Sequence, residues 1–131
     1  MDKEAIRTEA APAPFQGAPY SQAIKANGFV FVAGQLPLIP GAAPGTLPEG
    51  IRAQTRQAIA NAEAILRGAG ASLQAVVSAT MYITDVALWP DVNAVFAECF
   101  GTHRPARAMV TSPTLHFGAL VEMQCTAVVP A

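Results

Sequence analysis

Apolar and polar positions along the chain change period several times, and each change marks a boundary. QAIKA (22–26) and FVFVAG (29–34) are short strand-like runs separated by Asn27-Gly28, a dipeptide suited to the positive φ angles of a tight hairpin turn. Residues 36–50, LPLIPGAAPGTLPEG, hold too much Pro and Gly for a regular element and predict a loop. The period then becomes helical. Ile51, Ala58, Ile59, Ala62, Ile65 and Leu66 share one face, while Arg52, Arg56, Gln57 and Glu63 take the other. This predicts a helix over 51–67, ended by Gly68 and Gly70. Alternation returns over 76–84, with Val77, Ala79, Met81 and Ile83 assigned to one face and Ser78, Thr80, Tyr82 and Thr84 to the other. A second helix is expected over 89–100, with Pro90 in its first turn and Val92, Val95, Phe96 and Phe100 inward. A strand over 107–112, the loop PTLHFG and a last strand over 120–129 complete the chain. About the first 14 residues, rich in Ala, Pro and charge, predict a loose N-terminal arm.

The order strand, strand, helix, strand, helix, strand, strand makes an α+β domain spanning 1–131. Right-handed crossovers place both helices on one side of a mixed sheet. On the last strand Val121, Met123, Cys125 and Ala127 point one way, and Leu120, Glu122, Gln124 and Thr126 the other. The apolar set fits under the helices. The opposite face carries hydroxyls, amides and a single acid, and FVFV is apolar on both sides, so that face is expected to meet its copies in a symmetric oligomer. Composition points the same way, because charged residues make up only 13% and hydrophobic ones 52%.

Charge and cysteine usage narrow the function classes. A net charge of −1 with no basic stripe argues against a nucleic-acid partner. Pro, Gly or polar residues interrupt every apolar run, so no membrane span is expected. The N-terminus lacks a signal or transit pattern, which fits a cytoplasmic protein. Cys99 and Cys125 sit in apolar segments and read as reduced thiols. His103 and His116 lack metal-ligand spacing and acidic neighbours, so no metal site is read.

The candidate chemistry centres on HRPARAMVTS (103–112). Arg107 cannot be neutralised and is expensive to bury alone, so a carboxylate of the protein, a carboxylate of a ligand, or water must face it. Arg107 and Glu122 lie on strands flanking PTLHFG. If those strands pair as a hairpin, the two side chains share a face or approach closely. Two readings then stand: an ion pair sealing a subunit interface, the commoner outcome on spacing alone, or a guanidinium holding a ligand carboxylate beside an acid that works on water.

APYSQAIKANGFVFVAGQLP, RQAIANAEAILRGAG, the DVN triplet at 91–93, and RPARAMV with LVEMQCTAV together resemble the Rid family of reactive-intermediate deaminases, the YjgF group, over about 18–129. The resemblance implies a chorismate-mutase-like fold and a homotrimer with clefts at the subunit boundaries. It also implies hydrolysis of enamines and imines such as 2-aminoacrylate, shed by pyridoxal-phosphate enzymes, to a keto acid and ammonia, with no cofactor. Carried over by position, Arg107 binds the substrate carboxylate and Glu122 positions water. Tyr20, from a neighbouring subunit, is the aromatic of the Pro-Tyr motif. Asn93 lies near the cleft, and Gly34 brings its backbone to the ligand. Two positions depart from the pattern: Met109 stands where many members have cysteine, and Ala33 where many have serine. Losing the thiol is not expected to abolish hydrolysis, whereas losing the hydroxyl could alter substrate range. The loop before Pro105 also looks shorter than in the best-known members.

Each of these residues also has a plainer role open to it. Tyr20 would serve as an interface aromatic, Asn93 as a local helix hydrogen bond, Gly34 as a turn residue and Met109 as packing. Lys25 and Arg104 read as solvated charges, and His116 as a loop residue at the cleft rim. The expected activity is a cofactor-independent hydrolase acting on C=N bonds of small 2-imino or enamino acids. The alternatives are a non-catalytic trimeric module that binds small carboxylates or proteins and, less favoured by the charge, an endoribonuclease or translation inhibitor.

Overall fold

Six strands form one sheet in the computed structural model, which describes residues 2–129. The strands are β1 (Lys3–Ile6), β2 (Ala23–Ala26), β3 (Phe29–Gln35), β4 (Val76–Ile83), β5 (Ala106–Thr111) and β6 (Val121–Val128), and their spatial order is β1-β2-β3-β6-β4-β5. Only β4 and β5 run parallel. Helices α1 (Ile51–Gly68) and α2 (Trp89–Phe100) make the crossovers β3–α1–β4 and β4–α2–β5 and pack side by side on one face. Across their outer surface Arg52 pairs with Asp91 at 2.8 Å and Arg56 with Glu98 at 2.7 Å. These exposed pairs align the helices more than they stabilise them.

The core follows the alternation of the strands. Val30, Val32, Ala79, Met81, Ile83, Val121, Met123, Cys125 and Ala127 are buried against Ala58, Ile59, Ala62, Ile65 and Leu66 of α1 and Val92, Val95, Phe96 and Phe100 of α2. Asn27 and Gly28 both take positive φ, 53° and 82°, as the two-residue hairpin turn demands.

Three expectations from the pattern fail. The N-terminal residues do not form a loose arm, since β1 pairs with β2 and Ile6 and Ala11 are buried. Gln22 holds the segment down: its amide accepts from Thr8 N at 2.8 Å and donates to the carbonyls of Thr8, Ala11 and Pro12. The inward residue at the start of β4 is Val76, while Val77 is 42% exposed. A bulge against β6 between Val76 and Ser78 shifts the alternation by one. Finally, β5 and β6 do not form a hairpin, because β4 lies between them.

Candidate functional site

That last topological fact divides the candidate residues. Arg107 on β5 is in register with Ala79 of β4, and Ala79 with Cys125 of β6, so it points to the helix-covered side at the open edge of the sheet. Glu122 stands opposite Tyr82, on the helix-free side and three residues along β6 from Cys125. With strands about 4.8 Å apart and a rise of about 3.3 Å per residue, the two α-carbons are roughly 14 Å apart. The side chains project to opposite faces. The expectation that Arg107 and Glu122 share a face is therefore overturned, and with it the ion pair between them within one chain.

At the β5 edge, Arg107 Nη2 donates to Asn93 Oδ1 on α2 at 2.6 Å, and the guanidinium lies 4.9 Å from the centre of the Phe96 ring. Asn93, Phe96, Ala97, Arg104, Pro105 and Arg107 line a cavity of about 450 Å³. Among the described residues no carboxylate pairs with Arg107. Burial lowers its pKa, yet a guanidinium stays charged at any ordinary pH. What remains is a fixed cation with most of its planar fork of donors unengaged, the geometry that holds a carboxylate through two parallel hydrogen bonds. Phe96 contributes to the socket as well as the core, a role its inward helical spacing did not distinguish. Met109, two residues further along β5, packs against the core beside Met81. Arg104 is not merely solvated, since it donates to the carbonyls of Gly101 and His103 and closes the end of α2.

On the other face, the Glu122 carboxyl is half-buried, and burial raises its pKa. No side chain among the described residues hydrogen-bonds it. It lies directly over Gly34: a β-carbon there would overlap Oε2 and stand 3.2 Å from Cδ. Gly34 does not adopt a positive φ, so close approach of the carboxyl is what requires glycine here. Ala33 beside it donates its N–H to Gln22 O at 2.9 Å, with only a methyl where a hydroxyl could have reached outward. Tyr20, 52% exposed, joins Gly34 in lining a second cavity of about 360 Å³, together with Phe15, Leu36, Leu38, His116 and Phe117.

The loop behind this half is held by polar side chains that periodicity concealed. Asn61, 1% exposed on the apolar face of α1, donates to Leu36 O at 3.0 Å and Leu38 O at 2.8 Å. Gln54 donates to Pro48 O and accepts from Leu120 N at 2.8 Å, tying α1 to the start of β6. A polar residue at a position that should be apolar was the available signal.

The candidates thus fall into two groups. Asn93, Phe96, Arg107 and Met109 gather at one edge, and Tyr20, Ala33, Gly34 and Glu122 at the opposite face. A profile of the endoribonuclease L-PSP family matches residues 8–129, a span that includes both groups. The chain belongs to this family, the YjgF/Rid family. A RutC family protein from Pyrococcus abyssi is 45% identical over 97% of this chain and 98% of its own length. Reactive Intermediate Deaminase A, the chloroplastic protein of Arabidopsis thaliana, is 39% identical over 97% of this chain and 66% of its own. A crystal structure of a Rid-family protein of unknown function from Yersinia pestis superposes with a TM-score of 0.90 at 40% identity, covering 98% of this chain and all of that one. The family fold is the one described above. Among the described residues no helix is long and apolar enough to cross a membrane, and none of their His, Cys, Asp and Glu side chains gather in threes as a metal site would need.

Proposed function

We propose that this Rid-family protein hydrolyses small 2-imino acids to 2-keto acids and ammonia, in clefts that two copies of the chain build together. The observation that carries the reading is the separation of two unpaired groups, Arg107 at one sheet edge and Glu122 on the other face. Among the described residues no carboxylate faces Arg107 and no cation faces Glu122, yet each group is partly desolvated. Bringing the Arg107 edge of one copy against the Glu122 face of the next supplies each with a counterpart. The helix-free face suits such contact. Over β3, β6, β4 and β5 its one charged strand residue is Glu122, and Phe29, Phe31, Val110 and Val128 lie exposed on it. Three copies around an axis, as in the trimer the family resemblance implies, close such a head-to-tail contact.

In that cleft Arg107 takes the substrate carboxylate by two charge-assisted bonds and fixes the imine carbon. Asn93 holds the guanidinium in plane. Glu122 accepts a proton from water as the oxygen bonds to C2, and the C=N π electrons move to nitrogen. The resulting carbinolamine loses ammonia after proton transfer to nitrogen, leaving the C2=O of the keto acid. An enamine must first take a proton at C3 to become the imine, a shift Glu122 also serves. Tyr20 closes the cleft from Glu122's side. The free thiols Cys99 and Cys125 fit a reducing compartment such as the cytoplasm.

The test couples the protein to a serine or threonine dehydratase and follows decay of the released imine. Truncating one partner of a buried charged contact costs roughly 2–5 kcal/mol. Arg107→Ala should therefore lower kcat/KM by about two to three powers of ten. Parental activity in that variant would contradict the proposal. Parental behaviour of Glu122→Ala with keto-acid binding intact would point instead to a carboxylate-binding module. Ribonuclease activity, which the family description names, is disfavoured by a net charge of −1, since nucleic-acid binding draws on excess positive charge.

A further inference from the structure

The cavity of about 360 Å³ beside Gly34 is far roomier than a three-carbon substrate needs, and its walls are apolar and aromatic. Its rim is built with care. Phe15 meets Phe117 edge to face at 4.9 Å, and His116 lies 4.0 Å from the Phe117 ring. The rings are held there by unusual backbone. Gln16, following Phe15, has φ 52°, and Phe117 itself has φ 63°. Both lie in the left-handed region that side chains other than glycine rarely occupy. From the opposite loop Gly45, at φ 83°, lets Phe117 approach, since a β-carbon there would stand 3.0 Å from Phe117 Cδ1. Three local concessions of the backbone thus converge on one aromatic wall.

Gly34 joins this cavity to the reaction site, because it lines the cavity and also lies under the Glu122 carboxyl. A substrate whose C2 faces Glu122 would stand beside Gly34, which is also a wall of this cavity. We propose that this cavity is the side-chain pocket of the enzyme and that it selects 2-imino acids bearing a bulky apolar, preferably aromatic, side chain over the three-carbon imine. The proposal rests on the imine-hydrolase reading for its chemistry. No Lys, Arg, Asp or Glu lines the pocket, so a charged side chain would lose its water there without a partner.

The experiment generates imines in place with an L-amino-acid oxidase and compares kcat/KM for the phenylalanine-derived and alanine-derived substrates. The parent protein should favour the phenyl side chain. The phenylalanine-to-alanine ratio should fall by about ten-fold or more in Phe15→Ala and in Phe117→Gly, since even one methylene of apolar contact is worth roughly ten-fold or more. Phe117→Gly removes the ring at a backbone angle glycine prefers, which guards against simple misfolding. A ratio that stays put in both folded variants, or a parent that prefers the alanine-derived imine, would overturn the proposal. If neither imine is hydrolysed, the activity reading fails, and calorimetric titration with phenylpyruvate and pyruvate decides the pocket separately. Tighter phenylpyruvate binding that both variants abolish supports it, and equal affinities refute it.

Discussion

Gly34→Ala adds one methyl group at a position where it meets a single functional group. The backbone does not resist alanine, because φ at Gly34 is not in the left-handed region. The new β-carbon would overlap Glu122 Oε2, and ordinary contact begins only at 3.4 Å. The carboxyl must therefore retreat by about 1 Å, the scale of misplacement that can cost a catalyst about a hundred-fold in rate. Because Glu122 is half-buried on a flexible stem, stability should change little. The assay measures kcat/KM on the dehydratase-released imine, the melting temperature, and affinity for pyruvate. The expected result is a rate loss of about a hundred-fold with an almost unchanged melting temperature. Pyruvate should still bind, through Arg107. Activity within two-fold of the parent would refute the argument that Glu122 must stand over Gly34 to work. A rate loss matched by a large fall in melting temperature would assign the glycine to folding instead.

Other perturbations separate the remaining roles. Arg107→Lys should recover little of the activity that Arg107→Ala loses, since a point charge cannot reproduce the planar fork facing Asn93; steady-state kinetics on the same imine checks this. Burial holds the Glu122 carboxyl above its ordinary 4.5; as a base it must be ionised, so the acidic limb of kcat/KM should lie above pH 4.5 and be absent from the residual activity of Glu122→Gln. Stability runs the opposite way: the folded state holds that proton more tightly than the unfolded one, so the favourable contribution is full below pH 4.5 and is lost as pH rises through the raised value. Denaturant titrations across that window should show the trend in the parent and its loss in Glu122→Gln. Asn61→Ala leaves the carbonyls of Leu36 and Leu38 without donors; at about 1–3 kcal/mol for each buried unsatisfied group, stability should drop by roughly 2–6 kcal/mol, read by urea titration.

The apolar alternation of β3, β4 and β6 and the helical spacing from Ile51 to Leu66 made the layers legible before any coordinates, because burial on one face leaves a periodic trace. The Asn27-Gly28 turn was equally plain, since few other pairs accept two positive φ angles. What left no trace was pairing between strands distant in sequence. Nothing in PTLHFG shows that β4 inserts between β5 and β6, yet that insertion puts Arg107 and Glu122 on opposite faces. Val76 and Val77 could not be ranked, because a bulge is a property of two strands and only one was in view. Gln22 was hidden for a related reason: an amide that satisfies distant carbonyls looks, along the chain, like any other polar residue, and only Asn61 betrayed itself, by standing on an apolar helix face. Candidate site residues could be named one by one through family resemblance. Their partition into two groups was not.

That partition is tested most directly by mixing two disabled proteins. Arg107→Ala retains Glu122, and Glu122→Gln retains Arg107, so neither should hydrolyse the imine efficiently alone. After co-refolding in equal amounts, about a quarter of the clefts shared between neighbouring copies should carry both intact groups, and about a quarter of parental activity should return. No recovery from verified mixed oligomers would mean that Arg107 and Glu122 do not act together across a boundary between copies.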